Sequence, residues 1–209
     1  RTRRDSRRSG APRPARRPLL EAVPGLSLAA VNGPRACTLS GSSETMARVE
    51  EELARRRIPC QPMQTSHAFH SPLMASAAEA FGRFAAGFPA LPPQVPVYSN
   101  VTGLPLTGAE AADPAYWSRQ MLAPVRFLPA LTAAAEAGFL GVEAGPGRAL
   151  SGLAAKAGLE AVHTMRHAQE TREEPAVFME GLARLWLAGA KVDFAASLLE
   201  VQARRNARP

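Results

Sequence analysis

The sequence predicts an α/β protein whose first half contains part of a ferredoxin-like subdomain. Short apolar runs that end at glycine or proline alternate with amphipathic segments, which is typical of strands and helices. The 209 residues are enough for one or two domains with a substantial core. The order strand, strand, helix, strand between residues 26 and 65 is what a ferredoxin-like unit would keep without its opening elements.

Residues 26–65 divide into three predicted strands and one predicted helix. Apolar runs at 26–32 and 36–40, each followed by glycine, predict two strands with turns. A serine cap and apolar residues at a spacing of three and four predict a helix from 43 to about 57. A third strand is predicted at 58–65, and it leads into a stretch that contains two histidines.

Helices and strands alternate in the second half. Pro72 opens a helix to about Phe88, and its apolar face is predicted to carry Leu73, Ala77, Phe81 and Phe84. The later elements are a strand at 97–101, a helix that begins at Asp113-Pro114 and ends before Pro124, helices at 128–138, 149–158 and 176–188, and a strand at 139–143.

The net charge of +7 belongs to the first residues of the chain. Residues 1–17 hold eight arginines against Asp5, so the chain from Pro18 onward is neutral overall. Many arginines and no large apolar side chain predict that residues 1–18 form a disordered extension, and an artefact of the reading frame is our hypothesis for it. An arm for nucleic acid is the alternative. The neutral body, without interleaved aromatic and basic residues, argues against it.

Other features restrict the class of protein. Cys37 and Cys60 have neither a metal-site spacing nor a disulfide framework, which favours thiols in a reducing compartment. No run approaches the ~18 apolar residues of a membrane span, and no signal peptide is present, so a cytoplasmic protein without a membrane partner is predicted.

His163 and His167 lack acidic or cysteine partners at ligand spacing, so no metal site is expected. The Gly-Pro-Gly at 145–147 indicates either phosphate contact or tight strand-to-helix packing.

The stretch 64–74 contains the residues best suited to chemistry. His67 and His70 lie three apart between Ser66 and Ser71, just before the predicted helix. Histidine has the unperturbed pKa nearest neutrality, so an imidazole held at a helix start can accept and return a proton. A surface or capping pair is the alternative interpretation.

Residues 67–74, His-Ala-Phe-His-Ser-Pro-Leu-Met, resemble the signature of the acyltransferase domains of polyketide synthases. In that family His-Ala-Phe-His marks selectivity for malonyl-CoA, and Tyr-Ala-Ser-His marks methylmalonyl-CoA. The resemblance covers roughly residues 18–194. Further motifs follow the family's order: Ala-Ala-Val-Asn-Gly-Pro at 29–34, Ser-Asn-Val-Thr-Gly at 99–103, Tyr-Trp at 116–117, Pro-Val-Arg-Phe at 124–127 and Glu-Ala-Gly-Pro-Gly at 143–147.

The resemblance implies a site and a reaction. His70 would be the catalytic base, and Gln120 falls where simpler malonyl transacylases have the polar partner of that ring. His67, Phe69 and Ser71 would influence the choice of substrate. The substrate would be malonyl-CoA with no bound cofactor, and the acceptor would be the phosphopantetheine arm of an acyl carrier protein beside neighbouring synthase domains.

The sequence contains no G-x-S-x-G nucleophile motif. The family places that serine, and the arginine that binds the malonyl carboxylate, upstream of the matched stretch. We therefore expect the C-terminal part of an α/β-hydrolase-like acyltransferase domain with an incomplete ferredoxin-like small subdomain, inactive by itself. A non-catalytic remnant is the alternative. The expected divisions are the extension at 1–18, the small subdomain at 19–66, part of the large subdomain at 67–190 and a linker at 191–209.

Overall fold

The computed structural model describes residues 6–9 and 13–197 of the chain. The chain divides into two compact units, residues 1–133 and 134–209. Within the described ranges, no helix is both long and apolar enough to cross a bilayer.

The first unit opens with a four-stranded antiparallel sheet and two helices. The strands lie in the order β2-β3-β1-β4, and each neighbouring pair is antiparallel. An element order of β, α, β, β, α, β is that of a ferredoxin-like unit. The elements are β1 (Ser6–Ser9), α1 (Arg13–Ala22), β2 (Ser27–Gly33), β3 (Ala36–Ser40), α2 (Ser43–Arg55) and β4 (Cys60–Met63).

The presence of β1 and α1 corrects two predictions. The disordered extension predicted for residues 1–18 is wrong where the structure describes them, and the subdomain has the opening elements that it was predicted to lack. The backbone of Ser9 lies opposite Cys37 in β3 and Cys60 in β4, so β1 is an inner strand. The backbone N–H and C=O groups of β1 therefore form hydrogen bonds with a strand on each side. This pairing does not depend on the side chains of β1. Residues 1–5 and 10–12 lie outside the described part.

The core of this subdomain lies between the sheet and its helices. Ser42 caps α2, because its Oγ accepts a hydrogen bond from the amide of Thr45 at 3.1 Å. The predicted helix and its buried face are thus confirmed. Burial of each large side chain stabilises the fold by about 1.5 to 3 kcal/mol. The buried side chains are Leu19 of α1, Val23 just after it, Cys37 and Leu39 of β3, and Met46, Val49 and Leu53 of α2.

Two helices that pack against each other follow in the first unit, and they position the candidate site. Ser118 Oγ donates a hydrogen bond to the carbonyl of Ala78 at 2.9 Å, which joins α5 to α3. A Cβ on Gly82 would collide with Ser118 Oγ, so a larger residue there would displace the hydroxyl that makes this contact. The elements are a 3-10 turn (Pro72–Met74), α3 (Ala75–Ala85), α4 (Gly108–Ala112) and α5 (Pro114–Leu122), followed by α6 (Phe127–Glu136).

The strand predicted at 97–101 is wrong. This stretch makes a single isolated bridge and is otherwise a turn. Ser99 is buried, and its Oγ accepts hydrogen bonds from the amides of Val101 and Thr102 and from the hydroxyl of Tyr116. Because this buried hydroxyl accepts three hydrogen bonds, two of them from amides just after it, the backbone turns here. This local hydrogen bonding outweighs the β propensity of the residues.

The second unit is built on a two-stranded parallel sheet. Strand β5 (Gly141–Pro146) leads through α7 (Ala149–Lys156) to β6 (Ala161–Met165), and α8 (Glu174–Leu187) follows. Gly181 lies against β6, because a Cβ there would be 2.9 Å from the carbonyl oxygen of His163. The predicted helices at 149–158 and 176–188 are confirmed to within two residues at each end, and the strand begins two residues later than predicted.

Candidate functional site

His70 lies in the loop between β4 and the 3-10 turn, with its backbone in the left-handed region at a φ of 57°. Such a conformation costs a non-glycine residue about 1 to 3 kcal/mol and persists only where its surroundings fix it. The next residue supplies that support. Ser71 is buried, and its Oγ donates to the carbonyl of Ala68 at 2.6 Å and accepts from the amide of Leu73 at 3.3 Å.

The imidazole of His70 is held by a main-chain carbonyl. Its Nδ1 lies 3.0 Å from the carbonyl oxygen of Ala123. A carbonyl oxygen can only accept, so Nδ1 carries a hydrogen, and in the neutral imidazole Nε2 is then the nitrogen with the lone pair. Ala123 is the C-cap residue of α5, and its own amide donates to the carbonyl of Arg119 at 2.8 Å. The helix end thus holds a half-buried imidazole in the tautomer that leaves Nε2 able to accept a proton.

Gln120 lies one turn before Ala123 on α5 and is half-buried. Among the hydrogen bonds of the described residues, none joins its side chain to His70; the bond that orients the ring comes from Ala123. A contact made by a backbone carbonyl cannot be recognised from the sequence, because every residue type has this group. Gln120 and Ala123 thus belong to the same helix and its C-cap, but the observed contact to His70 is made by Ala123.

Of the other predicted site residues near His70, two are exposed and one is buried. His67 and Phe69 are exposed, with ring centroids 6.0 Å apart, and His67 Nδ1 lies 2.8 Å from Ser66 Oγ. Ser71 is buried, and its hydroxyl is engaged by the backbone. Two rings thus lie at the surface beside His70, while the buried hydroxyl of Ser71 holds the loop.

The Gly-Pro-Gly turn of the second unit carries a carboxylate. Glu143 is buried, and its two oxygens accept hydrogen bonds from the amides of Leu150 at 3.0 Å and Ser151 at 2.8 Å, at the start of α7. These amides are the groups that a phosphate would use. The structure therefore supports tight strand-to-helix packing here over phosphate contact.

The pKa of Glu143 has two opposing causes. Burial alone raises the pKa of the carboxyl, but the amides of Ser151 and Leu150 stabilise its charged form by more, so the net pKa lies below its ordinary value. The carboxylate is thus an anionic cap for α7. In the sequence, Glu143 is prominent only as the first residue of the Glu-Ala-Gly-Pro-Gly motif. Its capping role could have been inferred from an acid just before a glycine turn and a helix.

No metal site is apparent in the described part of the chain. Over residues 6–9 and 13–197, no group of three or more His, Cys, Asp or Glu residues is placed to hold a metal ion.

Similarity to known proteins identifies the class. The acyl transferase domain family matches residues 8–176, so the match begins within β1. The chain is 33% identical over 178 residues to a phenolphthiocerol/phthiocerol polyketide synthase of Mycobacterium tuberculosis, covering 82% of this chain and 12% of that protein. The chain belongs to the acyl transferase domain family, and within it to the acyltransferase domains of polyketide synthases.

Solved structures agree. The acyl transferase domain of SpnD, in complex with 2-(pent-4-yn-1-yl)malonyl, is 36% identical with a TM-score of 0.83, over 89% of this chain and 46% of that one. The malonyl-CoA:acyl carrier protein transacylase of Xanthomonas oryzae is 27% identical with a TM-score of 0.69, over 77% of this chain and 54% of that one. The chain thus spans about half the length of these solved chains.

Proposed function

We propose that this chain is the histidine-bearing part of an acyltransferase that moves malonyl from malonyl-CoA to the phosphopantetheine thiol of an acyl carrier protein. The observation that carries the proposal is the 3.0 Å contact between His70 Nδ1 and the carbonyl oxygen of Ala123. It fixes the tautomer in which Nε2 can act as a base. The second unit, with its parallel strands, would belong to an α/β-hydrolase-like large subdomain, and neighbouring synthase domains would flank it.

The reaction needs a serine from the part of the domain that the chain does not span. In the first half, His70 Nε2 takes the serine proton while the serine oxygen attacks the thioester carbonyl. The carbon–sulfur bond breaks, and the imidazolium returns the proton to the departing coenzyme A thiolate. In the second half, Nε2 takes the proton of the carrier thiol, whose sulfur attacks the serine ester, and the proton returns to the serine oxygen.

The Ala123 carbonyl would stabilise the charged imidazolium through the same hydrogen bond in both halves. We also propose Gln120 as a polar neighbour of the site, since it lies one turn before Ala123 on α5. A cytoplasmic location is part of the proposal. It is supported by Cys37 and Cys60, which are present as thiols.

Malonyl transfer is tested with a chimeric domain, called the restored domain below, in which the missing half is supplied by a relative. The chain is joined to the nucleophile-bearing half of the SpnD acyl transferase domain and incubated with malonyl-CoA and a phosphopantetheinylated carrier protein. The intact mass of the carrier is then measured. We expect it to gain malonyl, whereas the chain alone should form no covalent malonyl adduct. A stoichiometric adduct at a serine of the chain alone, or an unmodified carrier, would contradict the proposal.

A non-catalytic remnant is the second candidate, and the absence of a G-x-S-x-G motif from the sequence favours it. Restored transfer by the joined domain would exclude it. The nucleic-acid alternative treats the Arg-rich residues 1–17 as a separate binding arm. It loses that basis because residues 6–9 and 13–22 form β1 and α1.

We also expect the His-Ala-Phe-His stretch to influence the choice between malonyl-CoA and methylmalonyl-CoA. The bulky ring of Phe69 would narrow the space beside the malonyl α carbon, and Ser71 would hold the loop in place. Replacing His67 and Phe69 by Tyr and Ser in the restored domain should shift competition toward methylmalonyl-CoA by about 10-fold to 100-fold, since one methyl is worth ~1 to 3 kcal/mol. Competition assays with both esters measure this, and Ser76→Ala on α3 is the control. An unchanged ratio in the double variant would contradict the assignment.

A further inference from the structure

Helix α5 ends just before the residue whose carbonyl contacts His70. Its last residue is Leu122, and Ala123, the C-cap, has an extended backbone with φ −71° and ψ 149°. A residue that continued the helix would point its carbonyl along the helix axis. The extended Ala123 instead has its carbonyl oxygen 3.0 Å from His70 Nδ1. The direction of this oxygen therefore depends on what keeps Ala123 out of the helical conformation.

Pro124 supplies the first constraint. A proline disfavours the helical conformation of the residue before it, because its Cδ collides with the N–H and Cβ of that residue. It also has no N–H with which to continue the hydrogen-bond pattern of α5. Pro124 is exposed, so burial of its ring contributes little. Its main effect is on the backbone of Ala123.

The two residues that follow Pro124 are held by backbone hydrogen bonds. The amide of Val125 donates to the carbonyl of Ala29 at 2.8 Å, and the carbonyl of Val125 accepts from the amide of Val31 at 2.8 Å. These bonds form a parallel bridge to β2, the strand at one edge of the four-stranded sheet. The amide of Arg126 donates to the carbonyl of Asn100 at 2.8 Å. Three hydrogen bonds thus fix the backbone just after the C-cap of α5.

We propose that Pro124 and Val125 are positioning residues for His70, through which strand β2 of the ferredoxin-like subdomain holds the base. The role of His70 as a base rests on the proposed function, whereas the orientation of its ring does not. The packing of α3 against α5 brings the helix end to the ring, and Pro124 and the bridge at Val125 set the direction of the carbonyl. Both act through the backbone of Ala123. A shift of β2 would therefore reach the ring through Val125 and Pro124.

The first measurement needs no turnover. The full chain is labelled with 15N-histidine, and the tautomer of His70 is read from long-range 1H–15N NMR correlations at about pH 8, where an unperturbed imidazole is neutral. The signals that His70→Ala removes belong to this ring. We expect the wild-type ring to carry its hydrogen on Nδ1. Pro124→Ala and Val31→Pro should each give a mixture of both tautomers, because the carbonyl no longer faces Nδ1.

Each variant has a matched control. Val31→Pro removes the hydrogen that Val31 donates to Val125, at an edge strand where proline is tolerated, whereas Val31→Ala keeps it and removes only side-chain atoms. Pro96→Ala removes an exposed proline from the connector after α3, so it loosens the unfolded chain as Pro124→Ala does. Both controls should keep the wild-type tautomer. Circular dichroism and urea denaturation establish that each variant is folded.

The second measurement uses the restored domain. Pro124→Ala and Val31→Pro should lower kcat for malonyl transfer about 10-fold to 100-fold, with an unchanged KM for malonyl-CoA, because a misplaced base slows the chemical step. A folded Pro124→Ala or Val31→Pro chain that keeps the wild-type tautomer would overturn the proposal. If Val31→Pro does not fold, Pro124→Ala decides the outcome alone.

The two measurements separate this proposal from the proposed function. Altered tautomers with an unchanged kcat would support the positioning of the ring and contradict the role of His70 as a base. An inactive His70→Ala domain together with unaltered tautomers in Pro124→Ala and Val31→Pro would support the base and contradict the positioning.

Discussion

Replacing His70 by alanine in the restored domain should lower the rate of malonyl transfer to the serine roughly a thousandfold or more. In the proposed mechanism the ring both removes the serine proton and protonates the leaving thiol. Removing one member of such a catalytic unit costs nearly as much rate as removing all of them. The hydrogen bond from Nδ1 to the Ala123 carbonyl disappears with the ring. Single-turnover acylation, followed by intact-protein mass spectrometry, measures this loss.

His67→Ala is the matched control for that experiment. His67 is an exposed histidine of the same loop, and its Nδ1 contacts Ser66 instead of a helix end. Its loss should reduce the rate only about tenfold, through loop order or substrate choice. Equal losses in the two variants would refute this division of roles. An active His70→Ala enzyme would show that another group is the base.

The sequence located His70 and the helix beside it but not the atom that its ring contacts. The identity of His70 follows from a side-chain motif, which a sequence displays. Its partner is the carbonyl of Ala123, and every residue has a carbonyl. Only the packing of α3 against α5, fixed by Ser118 and Gly82, brings that carbonyl to the ring.

Strand β1 could not be predicted from the sequence for a similar reason. An arginine-rich segment has no apolar periodicity, so composition predicts disorder. The strand nevertheless forms, because its backbone completes the ladder between Cys37 and Cys60, which lie in strands far apart in sequence. Pairing of this kind is decided by tertiary context and overrides local preference. By contrast, α2 was predictable throughout, since its Ser42 cap and its apolar spacing are local signals.

For α3, the sequence predicted the apolar face of the helix but not its packing partner. Periodicity correctly placed Phe81 and Phe84 on one side of a helix, because that depends on spacing alone. It could not say what covers that side. In the described chain the rings are exposed, and small residues on another side make the contact with α5. An apolar stripe predicts that something packs against it, and the partner has to be found by other means.

In the second unit, the largest effect on stability is expected from Glu143→Gln. The carboxylate accepts hydrogen bonds from the amides of Leu150 and Ser151, and both are lost or weakened when one oxygen becomes an NH2 group that faces an N–H. Hydrogen bonds to charged groups are worth about 1.5 to 3 kcal/mol each. We therefore expect a loss of about 2 to 4 kcal/mol. Amide hydrogen exchange along α7, together with urea denaturation, measures it.

The pH dependence of this loss has a definite sign. Amide hydrogen bonds outweigh burial and hold the pKa of Glu143 below its ordinary value in the folded state. Its contribution is therefore complete above the ordinary carboxyl pKa and is lost as the pH falls through the lower, folded-state pKa. The difference between wild type and Glu143→Gln should shrink on acidification. The control is Glu79→Gln, which removes an exposed ion pair with Arg83 and should cost under about 1 kcal/mol. A difference between wild type and Glu143→Gln that stays constant from neutral to acidic pH would show that the carboxylate does not cap α7.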